Sequence, residues 1–219
     1  MPWHPVNPYH FYLKWVSLDC DHARLMRGLR PLGEAIAECA ERADRVALEH
    51  SDYADVFIDE ETALIETLLG TVFVVCQTHI TAIRSRLQAL HRYHLSQELK
   101  NPLTTTTGRK QDILRFGGRK IRKAGYSAVE AIDGFANYFK HNDEWYGNWK
   151  KLKGQAAGTV AIITAVGAQQ GSTGNLRTAA ERLGNKKYSD VGAFAKPIKE
   201  WGTGLVRAYT RECRRRGLI

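Results

Sequence analysis

An amide and an imidazole lie four residues apart in the run Phe135-Ala-Asn-Tyr-Phe-Lys-His141. In a helix, residues four positions apart lie on one face, so Asn137 and His141 can act on the same chemical group. An imidazole accepts or donates a proton near neutral pH, and an amide holds a polar group by hydrogen bonds. Tyr138 and Trp145 give this face an aromatic border. We therefore take Asn137 and His141 as candidate catalytic residues for acid–base chemistry.

A helix must hold these two side chains, and the capping box Ser127-Ala-Val-Glu130 marks its start. The helix is predicted to run to Asp143 or beyond. With Ile132 at the centre of its buried face, a turn of about 100° per residue directs Asn137 and His141 away from the core. The alternative is a polar face without function, or a local hydrogen bond between His141 and a carboxylate. The residues predicted to share the buried face are Ala128, Phe135, Ala136 and Phe139. Those predicted to share the outward face are Glu130 and Asp133.

The same run resembles the signature of the HEPN superfamily, helical domains common in bacterial toxins and antiviral defence. In its ribonuclease members an arginine is followed by a polar residue, often asparagine, and by a histidine five positions after the arginine. Asn137 and His141 match this pattern, whereas Ala136 stands at the arginine position. The resemblance implies a homodimeric protein that binds or cleaves RNA without a metal. The missing arginine, which would hold and polarise a phosphate, implies either an inactive relative that binds nucleic acid or a site completed by another cation such as Lys140.

The chain carries a formal charge of +9, and its cations are grouped along the sequence. Such a surface attracts polyanions, of which nucleic acids are the commonest, and the resemblance favours RNA over DNA. The alternatives are a solvated basic surface without a partner and a non-enzymatic module that binds nucleic acid or protein. The residues predicted to bind nucleic acid are Arg115, Arg119, Lys120, Arg122, Lys123, Lys140, Arg214, Arg215 and Arg216.

Two further motifs have the spacing of an ion-binding site. His91, His94 and Glu98 lie at helical spacings that suit a divalent metal, although a cationic helix end also explains them. The segment 167–177 contains Gly171-Ser-Thr-Gly174, and it resembles either a phosphate-binding loop or a tight connector with a hydroxyl cap. Neither motif is complete, so we predict no metal and no cofactor.

The elements that must position these residues are helices. From Asp59, apolar residues recur every three or four positions and predict a helix of about 59–97, the spine of a bundle. Shorter helices are predicted over 175–183 and 199–216, and Pro31 predicts a break in an earlier helical stretch. Residues 159–168 fit a helix or a strand. We expect one all-α domain over 1–219, with an extended aromatic arm at 1–18 and a Gly-rich C-terminal third.

Cysteine usage and hydropathy bear on the compartment. The four cysteines, Cys20, Cys39, Cys76 and Cys213, are too few and too far apart for a disulfide framework, so free thiols in a reducing compartment are expected. The N-terminal residues lack the basic and apolar segments of a signal peptide. The apolar stretch 155–170 is interrupted by glycine and is shorter than the roughly 20 residues that a spanning helix needs. A cytoplasmic protein that does not bind membranes is therefore expected.

Overall fold

The computed structural model describes residues 22–48, 53–90, 110–145 and 147–215. Within these ranges seven α-helices pack together and no residue lies in a β-strand, which confirms the all-α prediction. The helices are α1 (His22–Leu48), α2 (Ala54–Leu90), α3 (Lys110–Arg115), α4 (Ala128–His141), α5 (Gly154–Val166), α6 (Asn175–Leu183) and α7 (Gly192–Arg215), with 3₁₀ turns at Asn142–Trp145 and Trp149–Lys151.

Helices α1 and α2 form an antiparallel pair, because a short connection between Leu48 and Ala54 forces the second helix back along the first. An ion pair of 2.6 Å between Arg42 Nε and Glu61 Oε1 joins them near that connection. Their buried apolar side chains recur every three or four positions, as amphipathic helices require. These side chains are Leu25, Leu29, Ile36 and Cys39 in α1, and Ile65, Leu69, Val72, Cys76, Ile80, Ile83 and Leu87 in α2.

The long helix exists, but it begins at Ala54 rather than near residue 59, and residues 91–97 lie outside the described ranges. The break predicted at Pro31 is wrong, since α1 continues through this residue. Helix α6 has the predicted bounds.

The C-terminal third is helical as well. Residues 159–166 belong to α5, which decides between the two alternatives left open for this segment. Helix α7 begins at Gly192 instead of near residue 199, and includes Pro197. The aromatic arm predicted for 1–18 lies outside the described residues.

Helix α4 lies at the centre of this arrangement and contacts α2, α3, α5, α6 and α7. The Phe73 ring of α2 packs against Phe135 of α4 and against Phe194 of α7, with ring centroids 5.6 and 5.1 Å apart. Helix α5 approaches closely at Gly134, where an added Cβ would lie 3.2 Å from Ile162 Cγ2. The residues predicted to be catalytic thus belong to the most enclosed helix of the fold.

By length and composition, the segment Ala54–Gln88 of α2 can cross a membrane, so the expectation that no segment reaches this length and apolarity is wrong. Its most apolar window has a mean hydropathy of 1.5, and 44% of that window is buried within the fold. The core helix of a soluble protein has the same signature, and α2 packs against α1, α4, α6 and α7. This packing favours a soluble protein.

Candidate functional site

The first turns of α4 have no outward face. Every residue from Ala128 to Ala136 is buried. The predicted outward orientation of Glu130 and Asp133 is therefore wrong, and these residues are 1% and 7% exposed. An amphipathic pattern assumes that only one face of a helix is buried, and this assumption does not hold for α4 because neighbouring helices cover it from several sides.

Both buried carboxylates of α4 have partners. Glu130 Oε2 accepts the backbone N–H of Ser127 at 2.8 Å, which completes the predicted capping box, and Glu130 Oε1 pairs with Arg115 Nε at 3.1 Å. Asp133 pairs with Lys110 Nζ at 2.7 Å and accepts a hydrogen bond from Gln77 Nε2 at 2.9 Å. These partners offset the free-energy cost of burying the two charges.

Asn137 faces helix α2 rather than solvent. Its Oδ1 accepts a hydrogen bond from Gln77 Nε2 at 2.9 Å, and Lys140 Nζ donates to Gln77 Oε1 at 2.7 Å. Asn137 also lines a cavity of about 210 Å³ together with Lys110 and Asp133. The carboxamide therefore belongs to a polar network centred on Gln77, and the prediction that it turns away from the core is wrong.

His141 lies at the end of α4 among different neighbours. Its Nδ1 is 3.0 Å from Glu144 Oε1, and its side chain is 43% exposed. The imidazole stacks on Trp145, with ring centroids 6.2 Å apart and an interplanar angle of 21°. The local bond to a carboxylate, one of the alternatives for this residue, is thus present. Asn137 and His141 have separate partners despite their spacing in the sequence.

The position of the missing arginine is buried in the core. Ala136 is 0% exposed, so an arginine there would displace its neighbours before it reached a substrate. Lys140, the alternative cation, is exposed and its ammonium is bonded to Gln77. Within the described ranges, no arginine or lysine forms a hydrogen bond with His141.

The basic loop before α4 is partly engaged in holding the fold. Arg115 pairs with Glu130 and lies over the Tyr126 ring, with its guanidinium carbon 5.8 Å from the centroid. Arg119 donates to the Leu183 carbonyl at 3.0 Å. The remaining predicted cations of this loop are exposed: Lys120, Arg122 and Lys123.

A basic surface lies along α7, and most of its cations are not among the residues predicted to bind nucleic acid. A groove of about 890 Å³ is lined by cations of α7, by Arg119 and by the acidic Asp190 and Glu200, and it meets a second hollow of about 320 Å³ at Arg207. At 100° per residue, five cations fall within about 60° of one line along the helix. They are Lys196, Lys199, Arg207, Arg211 and Arg214.

These five α7 cations are available to a ligand. All five are exposed, and within the described part of the chain no carboxylate forms an ion pair with them. Their successive spacings of three, eight, four and three residues, which place them on one face of a helix, are visible in the sequence and could have identified them. Of the other predicted contacts in this helix, Arg215 is exposed, and Arg216 lies outside the described residues.

The glycine-rich segment before α6 is not open to a phosphate at the helix start. The Glu66 carboxylate of α2 accepts the backbone N–H groups of Leu176 and Arg177 at 2.6 and 3.2 Å, and it lies 3.4 Å from Arg177 Nε. Glu66 thus occupies the position that an anion would take at a helix N-terminus. Burial raises the pKa of Glu66, against the effect of these hydrogen bonds. Gly171-Ser-Thr-Gly174 is a connector, in which the Ser172 hydroxyl accepts the Gly174 N–H.

The described residues contain no cluster of three or more His, Cys, Asp or Glu side chains that would hold a metal ion. His91, His94 and Glu98, the metal-like triad in the sequence, lie outside the described ranges.

Comparison with known proteins identified no relative: no protein-family model, no curated protein and no solved structure matches this chain.

Proposed function

We propose that this chain is a cytoplasmic nucleic-acid-binding protein that holds a single strand along the basic groove of α7. The observation that carries the proposal is the line of five exposed cations on one helix, with Arg119 of the basic loop in the same groove. From Lys196 to Arg214 a helix rises about 27 Å, which is the length of about eight nucleotides of a stacked strand at roughly 3.4 Å each. The preference for RNA over DNA rests on the HEPN resemblance.

Salt dependence tests the electrostatic part of this proposal. If each of the five cations contacts one phosphate, the logarithm of the affinity falls with the logarithm of the salt concentration with a slope of about −3.5 for a single strand. Fluorescence anisotropy of a labelled twelve-nucleotide RNA, and of DNA with the same sequence, measures the slope and the preference. A slope near zero for both strands, or no binding at low salt, contradicts the proposal.

A matched pair of variants tests the location. Replacement of Lys199, Arg207 and Arg211 by glutamine removes three charges from the groove, and we expect at least a tenfold weaker affinity and a slope reduced by about two. The control removes the same charge from Lys150, Lys151 and Lys153, exposed residues that do not line the groove. Equal effects of the two triple variants would show a diffuse charge effect and contradict a site on α7.

A second candidate function is the metal-independent ribonuclease activity implied by the resemblance, in a bacterial toxin or antiviral-defence system. The contact that favours it is the His141–Glu144 pair, because a carboxylate on Nδ1 orients an imidazole for proton transfer through Nε2. Incubation of RNA with the wild type and with His141→Ala, in the presence of EDTA, tests it. Cleavage by the wild type that the variant lacks supports a ribonuclease, and intact RNA with both proteins leaves binding as the function.

We also propose the homodimer that the resemblance implies. Large apolar side chains are exposed around the connection between α1 and α2: Leu48, Tyr53, Val56, Phe57 and Leu64. Exposed apolar patches of this kind commonly mark protein contacts. Light scattering should give about twice the chain mass for the wild type and a smaller mass for Phe57→Asp, with Thr78→Asp as the control on the exposed surface of the same helix.

A further inference from the structure

An aromatic cleft, distinct from the basic groove, opens beside the end of α4. Its volume is about 560 Å³, within the range of small-molecule sites. Four aromatic side chains line it, Tyr138, Phe139, Trp145 and Trp149, together with the carboxylates of Glu66 and Asp143. The remaining lining comes from α2, from the segment after α4, from the connector before α6 and from the first turn of α6.

Three of these rings, those of Tyr138, Trp145 and Trp149, are held at angles to one another. The ring centroids of Tyr138 and Trp145 are 6.4 Å apart, with an interplanar angle of 47°. Those of Tyr138 and Trp149 are 6.0 Å apart, with an interplanar angle of 78°. A hydrogen bond from the first residue of α6 holds one ring, since Asn175 Nδ2 donates to the Tyr138 hydroxyl at 3.0 Å. The backbone N–H of Trp149 donates to Gln170 Oε1 of the connector at 3.1 Å, which anchors the backbone that carries the second ring. The site is therefore built before a ligand arrives, which reduces the entropy cost of binding.

The charge of the cleft is opposite to that of the whole protein. Its lining includes two carboxylates and no lysine, arginine or histidine among the described residues, although the chain carries a charge of +9. Glu66 is already bonded to Leu176 and Arg177. Asp143 is exposed at the cleft, and within the described ranges no cation pairs with it. An anionic ligand, including a phosphate or a nucleotide, would meet carboxylates and no cationic side chain in this lining.

We propose that this cleft binds an organic cation, with an alkylated ammonium group against Tyr138, Trp145 and Trp149. The negative faces of aromatic rings attract such a group, and indole attracts it most strongly. Asp143 adds a Coulomb attraction at the opening. An inorganic divalent cation fits less well, because it needs six or more oxygen ligands and Asp143 supplies the single uncommitted carboxylate. The inference does not depend on nucleic-acid binding, since the two sites share no lining residue.

The experiment compares choline with its neutral isostere 3,3-dimethylbutan-1-ol, which has the same shape without the charge. Saturation-transfer NMR detects the binding of either probe to the full chain through the signals of the methyl protons of the probe. We expect choline to bind about tenfold more tightly than the alcohol. Equal binding of the two probes, or tighter binding of neutral adenosine, would overturn the proposal, because the cleft would then select shape or a base instead of charge.

Variants assign the binding to this cleft. Trp149→Ala should weaken choline about tenfold, and Trp149→Phe should weaken it less because a ring remains. Asp143→Asn should weaken choline and leave the alcohol unchanged. Lys150→Gln, which changes the neighbour of Trp149 outside the cleft, is the control. Unchanged choline binding in folded Trp149→Ala, or in Trp149→Phe and Asp143→Asn together if the alanine variant unfolds, refutes the assignment.

Discussion

Gln77 Nε2 lies 2.9 Å from Asp133 Oδ1, although 56 residues separate them in the chain. The same nitrogen donates to Asn137 Oδ1, and Gln77 Oε1 accepts from Lys140. One amide of α2 thus satisfies three polar side chains of α4, the helix that carries the HEPN-like run. This contact explains why Asp133 and Asn137 turn towards α2 and not towards solvent.

Replacement of Gln77 by leucine should lower the free energy of unfolding by roughly 1–3 kcal/mol, since Asp133 and Asn137 lose a donor in a buried setting. Denaturant titration followed by circular dichroism measures this change. Thr78→Ala, at an exposed position one residue away, should stay within about 0.5 kcal/mol of the wild type. A Gln77 variant as stable as the Thr78 variant would show that the network contributes nothing to stability.

Gly70→Ala should destabilise the protein by roughly 1–3 kcal/mol. A Cβ at Gly70 would lie 2.1 Å from Phe139 Cδ2 and 2.5 Å from its Cγ, so the whole ring must move. Gly204→Ala is the matched control in α7, where a new Cβ meets nothing within 4 Å, and it should stabilise the protein by up to about 1 kcal/mol through helix propensity. Thermal unfolding of both variants should therefore show shifts of opposite sign.

Cys76 should resist alkylation in the folded protein. Its side chain is fully buried, and burial raises the pKa of the thiol, so the reactive thiolate is both scarce and inaccessible. We expect iodoacetamide at pH 8 to label Cys76 in denaturant and to leave it unlabelled under native conditions. Peptide mapping detects the label. Rapid native labelling of Cys76 would indicate that α2 opens locally from α4.

The Arg42–Glu61 pair between α1 and α2 should stabilise the protein at neutral pH and lose this effect in acid. Hydrogen bonds from Arg42 lower the pKa of Glu61 below its ordinary value of 4.5. The contribution is therefore present above pH 4.5 and is lost as the pH falls through the lower folded-state pKa. The stability difference between wild type and Arg42→Gln should shrink between pH 7 and pH 3, whereas Arg45→Gln should show a smaller pH-dependent difference. A difference for Arg42→Gln that is independent of pH would argue against the pair.

The local signals in the sequence predicted several elements well. The capping box at Ser127 is formed, because both of its hydrogen bonds lie within four residues. The bounds of α6 match the prediction, since Gly174 and Gly184 flank it. The spine helix is also present, although its start is earlier than its apolar stripe predicts.

The predictions are wrong where contacts with distant segments of the chain determine which side chains are buried. The face of α4 could not be predicted, because Lys110 and Arg115 from α3 and Gln77 from α2 stabilise polar residues that periodicity assigns to solvent. The anion-like role of Glu66 at the start of α6 joins residues more than a hundred positions apart. By contrast, the line of cations on α7 could have been predicted from helical spacing, although its members are not consecutive in the sequence as those of the predicted basic clusters are.

The pairing of α1 with α2 has a consequence for synthesis. Its contacts are local in the chain, so the hairpin can fold while later residues are still being added. Gln77 can contact Asn137 only after 60 further residues have been added. At a synthesis rate of roughly 5–20 residues per second, this takes about 3–12 seconds. During that interval Phe73 and its apolar neighbours on α2 face water, and the nascent chain presents a surface on which a chaperone can act.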